Sequence, residues 1–212
     1  SPFFMSFIKK KEEATVLFGK IFLYYLIFFS LLVVSLFFIS KPIVSIMLAS
    51  KFSNAWLVVG IVGAGYALKG CYLILLPGIY FANKLKMQSI IEWIAAIINI
   101  GLNLWMIPNY GIVGAAFATF LSYLSLPVLA HYISRRHLKV DYEWNRVITI
   151  FLITSLFTFF IFKISATINL SINKMVVLNL AVLLVYFKIV YSFVLNELER
   201  KFIIRNIKSL RY

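Results

Sequence analysis

Six uninterrupted apolar segments constrain the fold of this chain more than any other feature of its sequence. An α-helix rises about 1.5 Å per residue, so about 20 apolar residues cross the roughly 30 Å hydrocarbon core of a bilayer. These segments are apolar on all faces, whereas strands of a membrane β-barrel alternate apolar and polar residues. They therefore predict an all-α, polytopic membrane bundle of six transmembrane helices, at residues 17–40, 55–81, 89–107, 112–133, 147–166 and 174–195.

The composition supports the same class of protein. Of the 212 residues, 63% are hydrophobic and 13% are charged, whereas a soluble domain has roughly 45–50% and 25%. A soluble enzyme and a disordered segment are therefore excluded, and the single cysteine, Cys71, cannot form an internal disulfide. The chain begins on Ser-Pro-Phe-Phe without an initiating methionine, which resembles the end of an earlier helix. We therefore expect it to be the C-terminal piece of a longer protein.

Positive charges predict the orientation in the membrane. The segments between the apolar stretches fall into two alternating sets. The set that includes both termini contains fourteen Lys and Arg residues. The other set contains four, namely Lys41, Lys51, Lys163 and Lys174. Because cytoplasmic loops carry the excess of positive charge, both termini are predicted to be cytoplasmic. The net charge of +14 is then explained by orientation, and since the basic residues are spread over separate loops, nucleic acid is not an expected partner.

The outer segments lack the side chains that catalysis would need. On this topology none of the seven acidic residues and neither histidine is extracytoplasmic. An enzyme acting at the outer face would need a carboxylate or histidine as base, or arginine for phosphate. The sequence contains no metal-ligand cluster and no phosphate-binding glycine loop. We therefore predict no catalytic residue, cofactor or metal.

Lys69 is the most informative single residue. It lies about 12–14 residues from either end of the second segment, where a cation costs at least about 2.5 kcal/mol unless it faces water or a partner. One interpretation is a cation that lines a central cavity and receives an anionic substrate. The other is structural: an ion pair, for instance with Glu92, or a kink in the helix that shortens the true depth of Lys69. Tyr66 and Tyr72, at i−3 and i+3, are predicted to flank Lys69 and share its polar lining.

The third segment carries a polar stripe. Glu92, Ala96, Asn99 and Asn103 fall on one helical face, which lipid would penalise, so it is predicted to face protein or water. The stripe could line a substrate path, or its asparagines could form hydrogen bonds between helices. Glycine and alanine are also frequent in the second and fourth segments, which permits close helix packing or bending.

Two further segments are predicted to lie at membrane surfaces. A separate short helix beginning near Lys41 and Pro42 is expected at the outer interface. Residues 196–212 combine an apolar side with five basic residues, which predicts an amphipathic helix on the anionic inner leaflet. Docking on another cytoplasmic protein is the alternative for this tail.

One stretch resembles a known family. Asn99 and Asn103 are followed by Ile107 and Pro108, by a Tyr110–Ile112 turn and by Gly114–Thr119. This order is similar to the second lobe of the polysaccharide flippases in the multidrug/oligosaccharidyl-lipid/polysaccharide superfamily, which transport repeat units of O-antigen and capsule. The resemblance covers most of residues 1–146, while the last two apolar segments fit by position and hydropathy.

The resemblance implies a fold of two six-helix lobes around a central cavity, with two extra helices. Residues 1–146 would form four helices of the second lobe, 147–195 the two additional helices and 196–212 the cytoplasmic tail. It also implies transport of a polyprenyl pyrophosphate-linked oligosaccharide across the bacterial cytoplasmic (inner) membrane for surface polysaccharide or lipopolysaccharide synthesis. The implied partners are this lipid, membrane lipids and an N-terminal lobe of the same protein.

Other functions fit the same features. Within the superfamily the alternative is a multidrug or peptidoglycan-precursor exporter. In another class it is a membrane-embedded polysaccharide polymerase or ligase. The residues expected to contact substrate are Lys69, Tyr66, Tyr72, Glu92, Asn99 and Asn103.

Overall fold

The computed structural model describes residues 11–48, 55–167 and 172–201, and this part of the chain is helical apart from short turns and connections. The helices are α1 (Lys11–Met47), α2 (Ala55–Ile74), α3 (Pro77–Phe81), α4 (Leu85–Ser134), α5 (Trp144–Thr167) and α6 (Ile172–Phe193). Five segments of the described residues are long and apolar enough to cross a membrane, namely Ala14–Met47, Ala55–Phe81, Leu85–Ser134, Trp144–Ile164 and Lys174–Phe193. The all-α, membrane-embedded class predicted from the sequence is therefore confirmed.

Helix α4 accounts for the difference between five segments and the six that were predicted. Its 50 residues would extend about 75 Å as a straight helix. Gly111 interrupts it with φ 56° and ψ −138°, a backbone conformation that favours glycine. The Asn99 side-chain amide donates to Ser122 Oγ at 3.2 Å, although 23 residues of straight helix would separate them by about 35 Å. The chain therefore reverses at Gly111, and residues 85–110 and 112–134 form two adjacent arms.

Several loops and helix ends gather at the end of the bundle opposite Gly111. The Gly78 N–H donates to Ser134 Oγ at 2.8 Å, which joins α3 to the end of the second arm. His131 lies 4.8 Å from Trp144 between ring centroids, which brings the start of α5 to the same end. The segments that follow α3 and α4 therefore lie at the same end of the bundle. These are two of the basic segments that the sequence predicts to be cytoplasmic.

The first apolar segment is longer than predicted. Helix α1 continues through Pro42 to Met47, so the prediction of a separate short helix near Lys41 is wrong. Proline is tolerated at this point because a neighbouring helix or side chain can replace the lost backbone hydrogen bond.

A half-buried ion cluster attaches the start of the C-terminal tail to the bundle. Arg146 pairs with Glu199 and with Glu143, the second contact at 2.6 Å. Tyr24 of α1 donates its hydroxyl to Glu199 at 3.0 Å, and the Asn196 N–H donates to the same carboxylate at 2.8 Å. Residues 197–201 form a helical turn, and the amphipathic helix predicted for 196–212 otherwise lies outside the described residues.

This cluster predicts a pH-dependent release of the tail. Burial opposes ionisation of Glu199, but hydrogen bonds from the Asn196 N–H and from Arg146 outweigh it and hold the pKa of Glu199 below its ordinary value of 4.5. A depressed carboxyl pKa stabilises the attached state at neutral pH, and this stabilisation is lost as the pH falls through the folded-state value. We expect a nitroxide at Leu198→Cys to become mobile between about pH 5 and about pH 3.

The matched control for this transition is the neighbouring acid. Glu199→Gln should make the nitroxide mobile already at pH 7, whereas Glu197→Gln, at an exposed position, should leave the transition unchanged. An immobile nitroxide at low pH would contradict the role of Glu199.

Candidate functional site

Lys69 lies on an exposed surface of α2 with its amine against an aromatic ring. The Lys69 Nζ is 5.3 Å from the centre of the Tyr123 ring, which belongs to the second arm of α4. Tyr66 contacts the same ring edge-on at 5.6 Å and is 57% exposed. The ring faces provide a modest cation–π attraction of about 0.5–1 kcal/mol at an exposed site. Lys69 is therefore positioned by aromatic contacts.

No carboxylate forms an ion pair with Lys69 among residues 11–48, 55–167 and 172–201. The interpretation in which Glu92 neutralises Lys69 is wrong for this structure, because Glu92 has other partners. The Tyr72 hydroxyl donates to Glu92 Oε1 at 3.0 Å, and the Gln88 amide donates to the same atom at 3.3 Å. Hydrogen-bond donors thus compensate this carboxylate.

Tyr72 does not share the surface on which Lys69 lies. It is 1% exposed, and it joins α2 to the first arm of α4 through its bond to Glu92. The prediction that Tyr66 and Tyr72 flank Lys69 equally is therefore correct for Tyr66 and wrong for Tyr72. The reason is the rotational position of each residue around α2. Residue 72 lies on the side of α2 that packs against α4, whereas residues 66 and 69 lie on the solvent-exposed side.

The two asparagines form hydrogen bonds across the arms of α4. Asn103 donates its side-chain amide to Asn99 Oδ1 at 2.9 Å, and Asn99 donates to Ser122 Oγ at 3.2 Å. Both asparagines are half-buried. The chain of amides satisfies polar groups that lipid could not, which favours the hydrogen-bonding interpretation of this stripe. The other two residues of the stripe, Glu92 and Ala96, are exposed on the first arm.

The residues predicted to contact substrate therefore form three clusters. The first is Lys69 with Tyr66, the second is Glu92 with Tyr72, and the third is the asparagine pair. The first two join α2 to an arm of α4, and the third joins the two arms of α4 to each other. Sequence reasoning missed Tyr123, Ser122 and Gln88, which complete the clusters. No spacing rule connects Tyr123 to Lys69, because the contact joins two different helices.

The main cavities lie elsewhere in the bundle. Two cavities of about 460 and 450 Å³ open between the second arm of α4 and α5, and Lys69 lines neither of them. Their walls are mostly apolar. The Lys69 amine is thus exposed on the surface of this chain and lies outside both cavities.

Comparison with protein-family models, with curated proteins and with solved structures finds no match to this chain.

Proposed function

We propose that this chain is the second lobe of a flippase that moves lipid-linked oligosaccharide repeat units across the bacterial cytoplasmic membrane. The observation that carries the proposal is the exposed Lys69 amine, which lies deep along an apolar helix and forms no ion pair with a carboxylate in the described part of the chain. A cation in this position is costly, and an anionic ligand would compensate it.

A polyprenyl pyrophosphate suits this surface chemically. Its phosphates carry the charge opposite to that of Lys69, and a lysine ammonium binds phosphate as a point charge. Tyr66 and Tyr123 present amphipathic rings beside the amine, which offer an apolar face and a hydroxyl to a sugar. The exposed Glu92 carboxylate on the first arm of α4 is held by a hydrogen bond from the buried Tyr72.

The proposed topology has six crossings with both termini in the cytoplasm. Each arm of α4 is long enough to cross by itself, and the reversal at Gly111 is then extracytoplasmic. The gathering of the basic loops at the other end supports this orientation. An N-terminal lobe would cover the open side of α2, and one lobe rocking against the other would alternate access.

Deletion of the gene in its host tests the proposal against both alternatives. We expect surface polysaccharide to be lost and lipid-linked repeat units to accumulate where a membrane-impermeant oxidant such as periodate cannot reach them in intact spheroplasts. Single repeat units accessible to the oxidant would instead indicate a polymerase or ligase. Normal polysaccharide with increased sensitivity to drugs or to cell-wall inhibitors would indicate an exporter.

A further inference from the structure

The two cavities form one continuous cleft on the side of the bundle away from Lys69. They share Leu26, Leu68, Cys71 and Phe151 in their walls. The cleft runs along the second arm of α4 from Val113 to His131 and along α5 from Phe162 to Trp144. Eighteen residues of helix extend about 27 Å, so the cleft is nearly as long as the hydrocarbon core is thick.

The lining is suited to a hydrocarbon chain. Leucine, isoleucine, valine and phenylalanine supply most of it, and most of its hydroxyl groups donate hydrogen bonds within the protein. Tyr25 donates to the Ala67 carbonyl at 3.0 Å, and Ser30 donates to the Ile27 carbonyl at 2.8 Å. Thr154 donates to the Ile150 carbonyl at 2.7 Å. A polar occupant would therefore find few free partners along the cleft.

The end of the cleft at His131 and Trp144 has a basic rim. Arg135 follows His131 by one helical turn, and Arg136 lies 4.5 Å from the centre of the Tyr132 ring. Both arginines are exposed and neither forms an ion pair with a carboxylate in the part of the chain that the structure describes. The nearby Glu143 is bound to Arg146 at 2.6 Å. Both guanidinium groups lie over the Tyr132 ring, and Arg136 also donates to the Tyr132 hydroxyl, so the rim offers an anion two cations that have no carboxylate partner.

We infer that this cleft binds an anionic phospholipid of the inner leaflet, with an acyl chain against α5 and the phosphate at Arg135 and Arg136. Charge complementarity decides the occupant, because a neutral lipid or a second apolar helix would leave both arginine charges without a counter-ion, and arginine binds phosphate through two parallel hydrogen bonds. Basic pockets between helices on the cytoplasmic side are suited to such headgroups. The site rests on the proposed topology and is independent of the transported substrate.

Quenching of a single tryptophan by brominated lipid tests the site. Trp144 lines the cleft, and replacing Trp56, Trp93 and Trp105 with phenylalanine leaves it as the only fluorophore of its kind. The full chain is reconstituted in phosphatidylcholine vesicles that contain a small fraction of chain-brominated phosphatidylglycerol or, in parallel, chain-brominated phosphatidylcholine. We expect phosphatidylglycerol to quench Trp144 at a much lower mole fraction than phosphatidylcholine does.

The arginine pair supplies the decisive variant. Each basic residue near an anionic surface changes binding about fivefold, so Arg135→Ala with Arg136→Ala should weaken the preference about 30-fold. Lys84→Ala with Lys86→Ala removes the same charge from an exposed loop at the same end and should leave the preference unchanged.

Three results would overturn the inference. Equal quenching by the two brominated lipids would remove the headgroup preference. If the variant that lacks both arginines kept the preference for phosphatidylglycerol, the proposed phosphate site would be wrong. Displacement of brominated phosphatidylglycerol by an equal fraction of polyprenyl phosphate would assign the cleft to the substrate carrier. Since none of these measurements involves transport, they are separable from the gene-deletion result above.

Discussion

Lys69→Ala in the full-length protein is expected to abolish export of lipid-linked repeat units. Removal of one hydrogen-bonded charge partner costs about 1.5–3 kcal/mol, which corresponds to about 10- to 150-fold in affinity for the pyrophosphate. The physical reason is that, on the proposed topology, the amine beside the Tyr123 ring would lie within the hydrocarbon core, where little solvent screens its field. The measurement is the amount of surface polysaccharide, together with the lipid-linked units retained inside spheroplasts.

Variants at Lys69, Lys188 and Tyr123 separate the effect of charge from that of packing. Lys69→Arg keeps the cation and should retain much of the transport, although its planar group is not equivalent to a lysine ammonium. Lys188→Ala removes another exposed lysine from an apolar helix, α6, and should leave export unchanged. Tyr123→Phe keeps the aromatic ring beside Lys69, and we expect it to resemble the parent more closely than Tyr123→Leu does. Normal surface polysaccharide in Lys69→Ala would remove Lys69 from the mechanism.

Gly114→Ala is expected to destabilise the two-arm structure of α4. A Cβ atom at residue 114 would lie 2.3 Å from the Met106 carbonyl oxygen, and the contact involves backbone that cannot rotate away. Overpacking of this kind costs about 1–3 kcal/mol, and the change should lower the Tm of the purified chain in detergent by roughly 2–10 °C. Thermal unfolding followed by circular dichroism measures the effect.

Gly101 provides the matched control within the same helix. A Cβ atom there meets nothing within 4 Å, and alanine in a helix interior is more favourable than glycine by about 0.5–1 kcal/mol. Gly101→Ala should therefore leave the Tm unchanged or raise it. Equal effects at residues 101 and 114 would argue against the close approach of the two arms.

The polar residues show where sequence reasoning succeeds and where it ends. The depth of Lys69 and the shared face of Asn99 and Asn103 follow from helical periodicity, because the spacing of side chains along one helix is fixed. The partner of Glu92 does not follow, because the distance between two helices depends on how they pack. The sequence suggested Lys69 as a partner of Glu92, whereas in the structure the buried Tyr72 donates its hydroxyl to the carboxylate.

Gly111 shows the same difference between what the sequence predicts and what helix packing decides. The sequence motif around Pro108 and Gly111 predicts a turn between two apolar segments, and the structure places a non-helical backbone there. Which side chains meet across that turn, such as Asn99 and Ser122, is decided by the angle and rotation of the two arms.

By itself, the sequence determined that this protein is a bundle of apolar helices, since hydrocarbon leaves backbone polar groups no partners except one another. It also determined which loops carry positive charge. The tertiary structure alone decided that the Lys69 amine meets an aromatic ring, that Glu92 is held by Tyr72, and that a long cleft separates the second arm of α4 from α5. These contacts join residues far apart in the chain, and side-chain packing between helices selects them by shape and rotation that no single segment contains.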